Sequence, residues 1–80
     1  VLLPLHHRRY EILRKQLKKL RSQAGLTQAE LGTRLKVGQS YVSKVERGER
    51  YLDVLLYVDW CRACKQAPEA ALADLLQSSA

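Results

Sequence analysis

A chain of 80 residues has room for one small core but not for an enzyme's cleft and scaffold together, so the function to expect is binding rather than catalysis. Hydrophobic residues make up 46% of it, and no Val/Ile/Thr-rich alternating run reads as a strand, which predicts an all-α single domain over residues 1–80. The formal charge of +6 is lopsided: residues 1–50 carry 12 Lys/Arg against 4 Asp/Glu (+8) and residues 51–80 carry 2 against 4 (−2), so a polyanionic partner should meet the first half.

In chain order, residues 1–6 are a short apolar arm broken by Pro4, much too short to span a membrane and without a signal peptide's charged start and cleavage site. A cytoplasmic location is therefore expected. Residues 7–24 predict a first helix, because Tyr10, Leu13, Leu17, Leu20 and Ala24 recur at i, i+3, i+7, i+10 and i+14 as one buried stripe. Gly25 ends it as a C-cap. Thr27, with Glu30 three residues later, is a capping box that starts a second helix with Leu31 and Leu35 inward. Val37 is placed to plug the turn that follows. A third helix begins after Gly38 and runs through Arg47, turning Val42 and Val45 inward. Asp53 opens a fourth helix, on which Val54, Leu55, Tyr57, Val58, Cys61 and Cys64 are expected to be buried. Residues 65–67 make a turn, and Pro68 stands at the first position of a fifth helix whose apolar side is Leu72, Leu75 and Leu76.

The stretch from Gly25 to Gly48, GLTQAELGTRLKVGQSYVSKVERG, thus spells two short amphipathic helices joined by a tight turn. That is the pattern of a helix-turn-helix over residues 27–47, whose second helix reads the DNA major groove. The outward side chains Gln39, Ser40, Ser43 and Lys44 are the candidate base contacts. Glutamine pairs with the N6/N7 edge of adenine, lysine donates to the O6/N7 edge of guanine, and serine serves several bases. Thr27 and Gln28 stand at a helix N-terminus, where free N–H groups and the dipole favour a phosphate. Tyr41 at the margin of the reading face, with Arg47 and Arg50 beyond its end, completes the candidate phosphate contacts. Arg14, Lys15, Lys18, Lys19 and Arg21 form a basic run on the first helix, suited to long-range steering.

The run LKKLRSQAG that ends the first helix, the GLTQAEL that opens the second, QSYVSKVERGER and the LDV after it resemble the phage repressor/Cro family of XRE-type regulators, in register across residues 13–64. The resemblance implies a five-helix, lambda-repressor-like DNA-binding domain that acts as a sequence-specific transcriptional regulator of double-stranded DNA, expected to be a repressor, with no cofactor and no metal. It also implies that Gln28 supports Gln39, and that Arg21 forms a structural ion pair with Glu46 of the ERG turn. Family members usually act as homodimers, which implies a palindromic operator. Three positions depart from the family pattern: Lys36 replaces a small turn residue, Gly38 replaces the usual Ser/Thr/Pro, and Gly32 replaces an alanine-like residue.

Two further features carry expectations. Trp60-Cys61-Arg62-Ala63-Cys64-Lys65 reads like a thioredoxin active site, but it falls late in a helix rather than at a helix N-terminus after a strand. A zinc site fares no better, since His6 and His7 are a poor second pair of ligands; two reduced, buried cysteines are expected. Leu56 stands where relatives commonly place a polar residue, and Trp60 adds apolar area, so both, on the fourth helix, are candidate contacts in a dimer interface built from the fourth and fifth helices. The alternative is an antitoxin-like regulator that holds a protein partner with its acidic half.

Overall fold

The computed structural model describes residues 3–78; Val1 and Leu2 of the expected arm lie outside them. Five helices follow one another: α1 (Arg8–Gln23), α2 (Gln28–Leu35), α3 (Gln39–Glu46), α4 (Val54–Ala63) and α5 (Pro68–Ser78). Their ends are set by local chemistry. At α1 the His7 ring accepts the Arg9 N–H at 3.1 Å. Gly25 takes φ +72° just beyond its last turn. Both halves of the capping box at α2 are made, with Thr27 N–H donating to Glu30 Oε1 at 2.9 Å and Glu30 N–H to Thr27 Oγ1 at 3.1 Å. Asp53 Oδ1 accepts the Leu56 N–H at 2.8 Å and opens α4.

The core is assembled from all five helices: Leu17 and Leu20 of α1, Leu31 of α2, Val42 and Val45 of α3, Tyr57, Trp60 and Cys61 of α4, and Ala71 of α5, with Leu26 and Cys64 from the helix ends. The closest packing is between α2 and α3, while α1 reaches α3, α4 and α5. Burying an indole requires a partner for its N–H. Trp60 meets this by donating to the Leu17 carbonyl at 3.1 Å, which ties α4 to α1. Tyr57 Oη donates to Gln16 Oε1 at 2.8 Å, and Gln16 Nε2 donates to the Ala71 carbonyl at 2.6 Å, so one glutamine joins α1, α4 and α5. Among the described residues no buried side-chain polar atom lacks a hydrogen-bond partner.

Several sequence expectations need correction. Trp60 is wholly inside the core, so it cannot contribute to a dimer surface in this fold. Its helical neighbours Tyr57, Cys61 and Cys64 define the inner stripe of α4; Leu55 lies on the opposite face and Val54 runs past the core's edge, leaving them 73% and 72% exposed. Val58 is only half-buried, as are Tyr10 and Leu13 on α1 and Ala24 at its C-cap. Val37 does not plug the turn, since 36% of it is accessible. On α5 the buried residue is Ala71; Leu72 and Leu76 are exposed and Leu75 half-buried, because the helix leans on the core through its small side chain.

Candidate nucleic-acid interface

Val42 and Val45 anchor α3, at 0% and 1% exposure, and by helical geometry this sends the intervening polar residues outward. Gln39, Ser40 and Lys44 are exposed and Ser43 is half-buried, so three of the four candidate base contacts are open and the fourth is at the edge. The first residue of α3 follows Gly38 directly, with φ +83°, ψ 162° and no side-chain cap. That backbone region is open to glycine and strained for other residues. The turn is tightened by the Gly32 carbonyl, which accepts from Val37 N–H at 3.0 Å and from Gly38 N–H at 3.2 Å.

The α3 end is bolted down by a charge cluster. Arg21 donates through Nε to Glu46 Oε2 at 2.7 Å and through Nη2 to Glu46 Oε1 at 3.0 Å, a two-pronged pairing. Its Nη1 also donates to the Leu26 carbonyl at 2.9 Å. The Glu46 carboxylate beside it raises the Arg21 pKa above its ordinary value, with burial opposing. Gln28 Nε2 donates to the same Glu46 Oε1 at 3.0 Å. Gln28 is therefore held to the end of α3 rather than to Gln39, the support that the resemblance implied. One amide hydrogen and the side-chain oxygen of Gln28 remain for a further partner.

The candidate phosphate contacts are in differing states of engagement. The Thr27 N–H is taken by the Glu30 carboxylate, which also draws the Thr27 hydroxyl, and this leaves the next amides of α2 to face an anion. Tyr41 is half-buried and its hydroxyl donates to the Tyr51 carbonyl at 3.4 Å, while Arg50 lies over its ring, 4.7 Å from the centroid. A guanidinium stacked in this way keeps its N–H edges free. Arg47 pairs with Glu49, Nε to Oε2 at 2.8 Å, on an open surface. Glu49 escaped the sequence reading because a residue two places beyond Arg47 in a turn carries no helical spacing signal. Arg14 is legible in sequence only as part of the basic run, and the bonds that it and Tyr51 make are not, since their partners are backbone carbonyls.

The cysteines lie elsewhere, in the core. Cys61 and Cys64 are free and buried. Burial pushes both thiols up, Cys64 to about 11 with Cys61 nearby adding to the effect, the opposite of an activated thiol. Leu56, the other candidate dimer contact, is half-buried. Among the described residues no group of three or more His, Cys, Asp or Glu is placed to hold a metal ion, and no helix is long and apolar enough to cross a membrane.

Two adjoining helices, the second anchored by valines and open on its polar side, define a helix-turn-helix DNA-binding domain. The comparisons agree: residues 12–76 match the family model described as a helix-turn-helix domain. An XRE-family like protein from Pseudomonas syringae pv. tomato str. DC3000 is 44% identical, with a TM-score of 0.83 over 90% of this chain and 88% of that one. The clp gene regulator ClgR from Corynebacterium glutamicum is 28% identical, with a TM-score of 0.75 over 85% of this chain and 72% of that one. No curated protein matches. The chain belongs to the XRE-type helix-turn-helix family of DNA-binding transcriptional regulators.

Proposed function

We propose that this chain is a sequence-specific regulator, acting as a repressor that occupies its operator and blocks promoter access. The observation that carries the reading is the face of α3: Gln39, Ser40 and Lys44 open to solvent on a helix fixed from behind by Val42, Val45 and the Arg21–Glu46 pair. Gln39, Ser40, Ser43 and Lys44 read bases; Thr27, Gln28, Tyr41, Arg47 and Arg50 hold phosphates. The test is selection of bound duplexes from a random pool. Wild type should enrich one motif, and Gln39→Ala should relax a single base position per half-site at a cost of about 1–3 kcal/mol. The same motif at the same stringency would remove Gln39 from the reading face.

The active form is a homodimer on a palindromic site, which sets two recognition helices about one DNA turn apart. The exposed Leu55, Leu72 and Leu76 of the acidic half support a self-contact there, with Leu56 at its margin. The same side chains support the second reading, an antitoxin-like regulator whose acidic half holds a protein partner. Sedimentation of the free protein separates them: a dimer favours the first and a monomer the second.

A further inference from the structure

The arm before α1 reaches the loop after α3 at two points, directly at Tyr51 and through Arg14 of α1 at Gly48. At the first, Tyr51 Oη donates to the Leu3 carbonyl at 2.7 Å, and the Tyr51 ring meets Tyr10 edge-on with centroids 5.3 Å apart. At the second, Arg14 Nη1 donates to the Leu5 carbonyl. The same guanidinium lies so close over Gly48 that a Cβ there would meet its carbon at 2.8 Å. From Tyr51 the contacts continue outward, since its own carbonyl accepts the Tyr41 hydroxyl and the Tyr41 ring carries Arg50.

We propose that the arm is a positioning element for the DNA interface, and that by holding Tyr51 and Gly48 it aims Arg50 at a backbone phosphate. This rests on the DNA-binding reading above. Without the arm, residues 47–53 would keep the Tyr41 bond to the Tyr51 carbonyl, the Tyr51–Tyr10 ring contact and Leu52 against the core, but would be a loop whose Tyr51 hydroxyl has no anchor. An arginine on such a loop must lose conformational freedom when it meets a phosphate; one already stacked and tethered loses less. The arm needs no contact with DNA for this effect, because it acts through Tyr51.

The test is a double-mutant cycle on the full chain with Tyr51→Phe and Arg50→Ala, read by duplex affinity at low salt. Tyr51→Phe keeps the ring and removes only the hydroxyl bond to Leu3. It should weaken binding about five-fold, the weight of one hydrogen bond, equally on operator and scrambled duplex, and should have no further effect once Arg50 is alanine. Amide exchange without DNA is the second readout, and protection at Gly48 and Glu49, whose N–H groups donate to the Val45 and Lys44 carbonyls, should fall in Tyr51→Phe. Unchanged exchange overturns the tether. Faster exchange with unchanged affinity, or losses that simply add in the double variant, overturns the positioning role. A wild type that binds no duplex overturns the DNA reading and the role with it, and the exchange result tells that failure apart from failure of the tether.

Discussion

Gly38 closes the helix-turn-helix by resting its peptide on Gly32. A Cβ on Gly32 would stand 2.5 Å from the Gly38 carbonyl carbon, 2.6 Å from its oxygen and 2.8 Å from the Gln39 nitrogen. All three departures from the family pattern meet in this one turn, for Lys36 ends α2 in the left-handed region at φ +60°. A glycine in place of the alanine-like residue and a glycine in place of the usual cap are thus one structural event: the left-handed Gly38 brings backbone where a methyl group would otherwise fit.

Gly32→Ala therefore tests the turn directly. Alanine gains about 0.5–1 kcal/mol of helix propensity over glycine. Overpacking against a backbone that cannot rotate away costs about 1–3 kcal/mol, so the clash wins. The expected outcome is a melting temperature several degrees lower, since 1 kcal/mol shifts a domain of this size by about 4–8 °C. A melting temperature equal to or above wild type would show that Gly38 can retreat.

Glu46→Ala should be the most damaging single change near the interface. The Glu46 side chain is only 3% exposed and accepts from both Arg21 and Gln28, so its removal leaves the part-buried Arg21 charge with the Leu26 carbonyl alone. Breaking a buried pair of this kind costs about 3 kcal/mol or more. A guanidinium does not relieve the strain by losing its proton; in the wild type Glu46 raises the Arg21 pKa, so the pair's contribution is complete below the unfolded value and lost only as pH rises through the folded one. Urea unfolding checks the loss. The double variant Arg21→Met with Glu46→Met should recover most of it, because apolar replacement of both partners is often neutral.

How much of this was legible beforehand follows from the range of each signal. The helix starts at Thr27 and Asp53 are readable because a cap is chemistry within three residues, and the protein makes both sets of bonds. The inward valines of α3 were readable from spacing alone. Burial on α4 and α5 was not, because periodicity identifies an apolar stripe without saying where the core stops; Leu55 and Leu72 look as buried in sequence as Tyr57 does. Trp60 was misplaced for the same reason. The arm's contacts were invisible, since a hydroxyl or guanidinium that bonds a distant carbonyl leaves no pattern in the chain.

The capping box adds a pH dependence. Hydrogen bonds from the Thr27 backbone and side chain hold the Glu30 carboxyl below its ordinary 4.5. A depressed pKa stabilises the folded state above the unfolded value, and that contribution disappears as pH falls through the folded one. Wild type should thus be more stable than Glu30→Gln at neutral pH, and the difference should shrink once the pH drops below 4.5. Unfolding midpoints at a series of pH values provide the check, and a constant difference across the series would place the stabilisation outside the carboxylate.

The last prediction concerns Glu49, which pairs with Arg47, one of the phosphate contacts proposed above. Their pair is 2.8 Å long, but both side chains are more than half exposed. Such a pair contributes about 0–1 kcal/mol to stability, so Glu49→Gln should leave the unfolding midpoint nearly unchanged. Binding should respond differently. The substitution frees the Arg47 guanidinium for a phosphate and removes a negative charge from the approach surface, so affinity should rise by about three-fold at low salt. Because phosphates position without specifying, the gain should be equal on operator and scrambled duplex. It should also fade as salt screens the surface, with log K for the variant falling more steeply against log salt, by up to about 0.9 for one added phosphate contact. Arg47→Ala should move affinity and slope in the opposite direction. Titrations of these two variants at several salt concentrations decide the point: if Glu49→Gln binds as wild type does while Arg47→Ala also changes nothing, Arg47 lies away from the DNA and the phosphate track ends at Arg50.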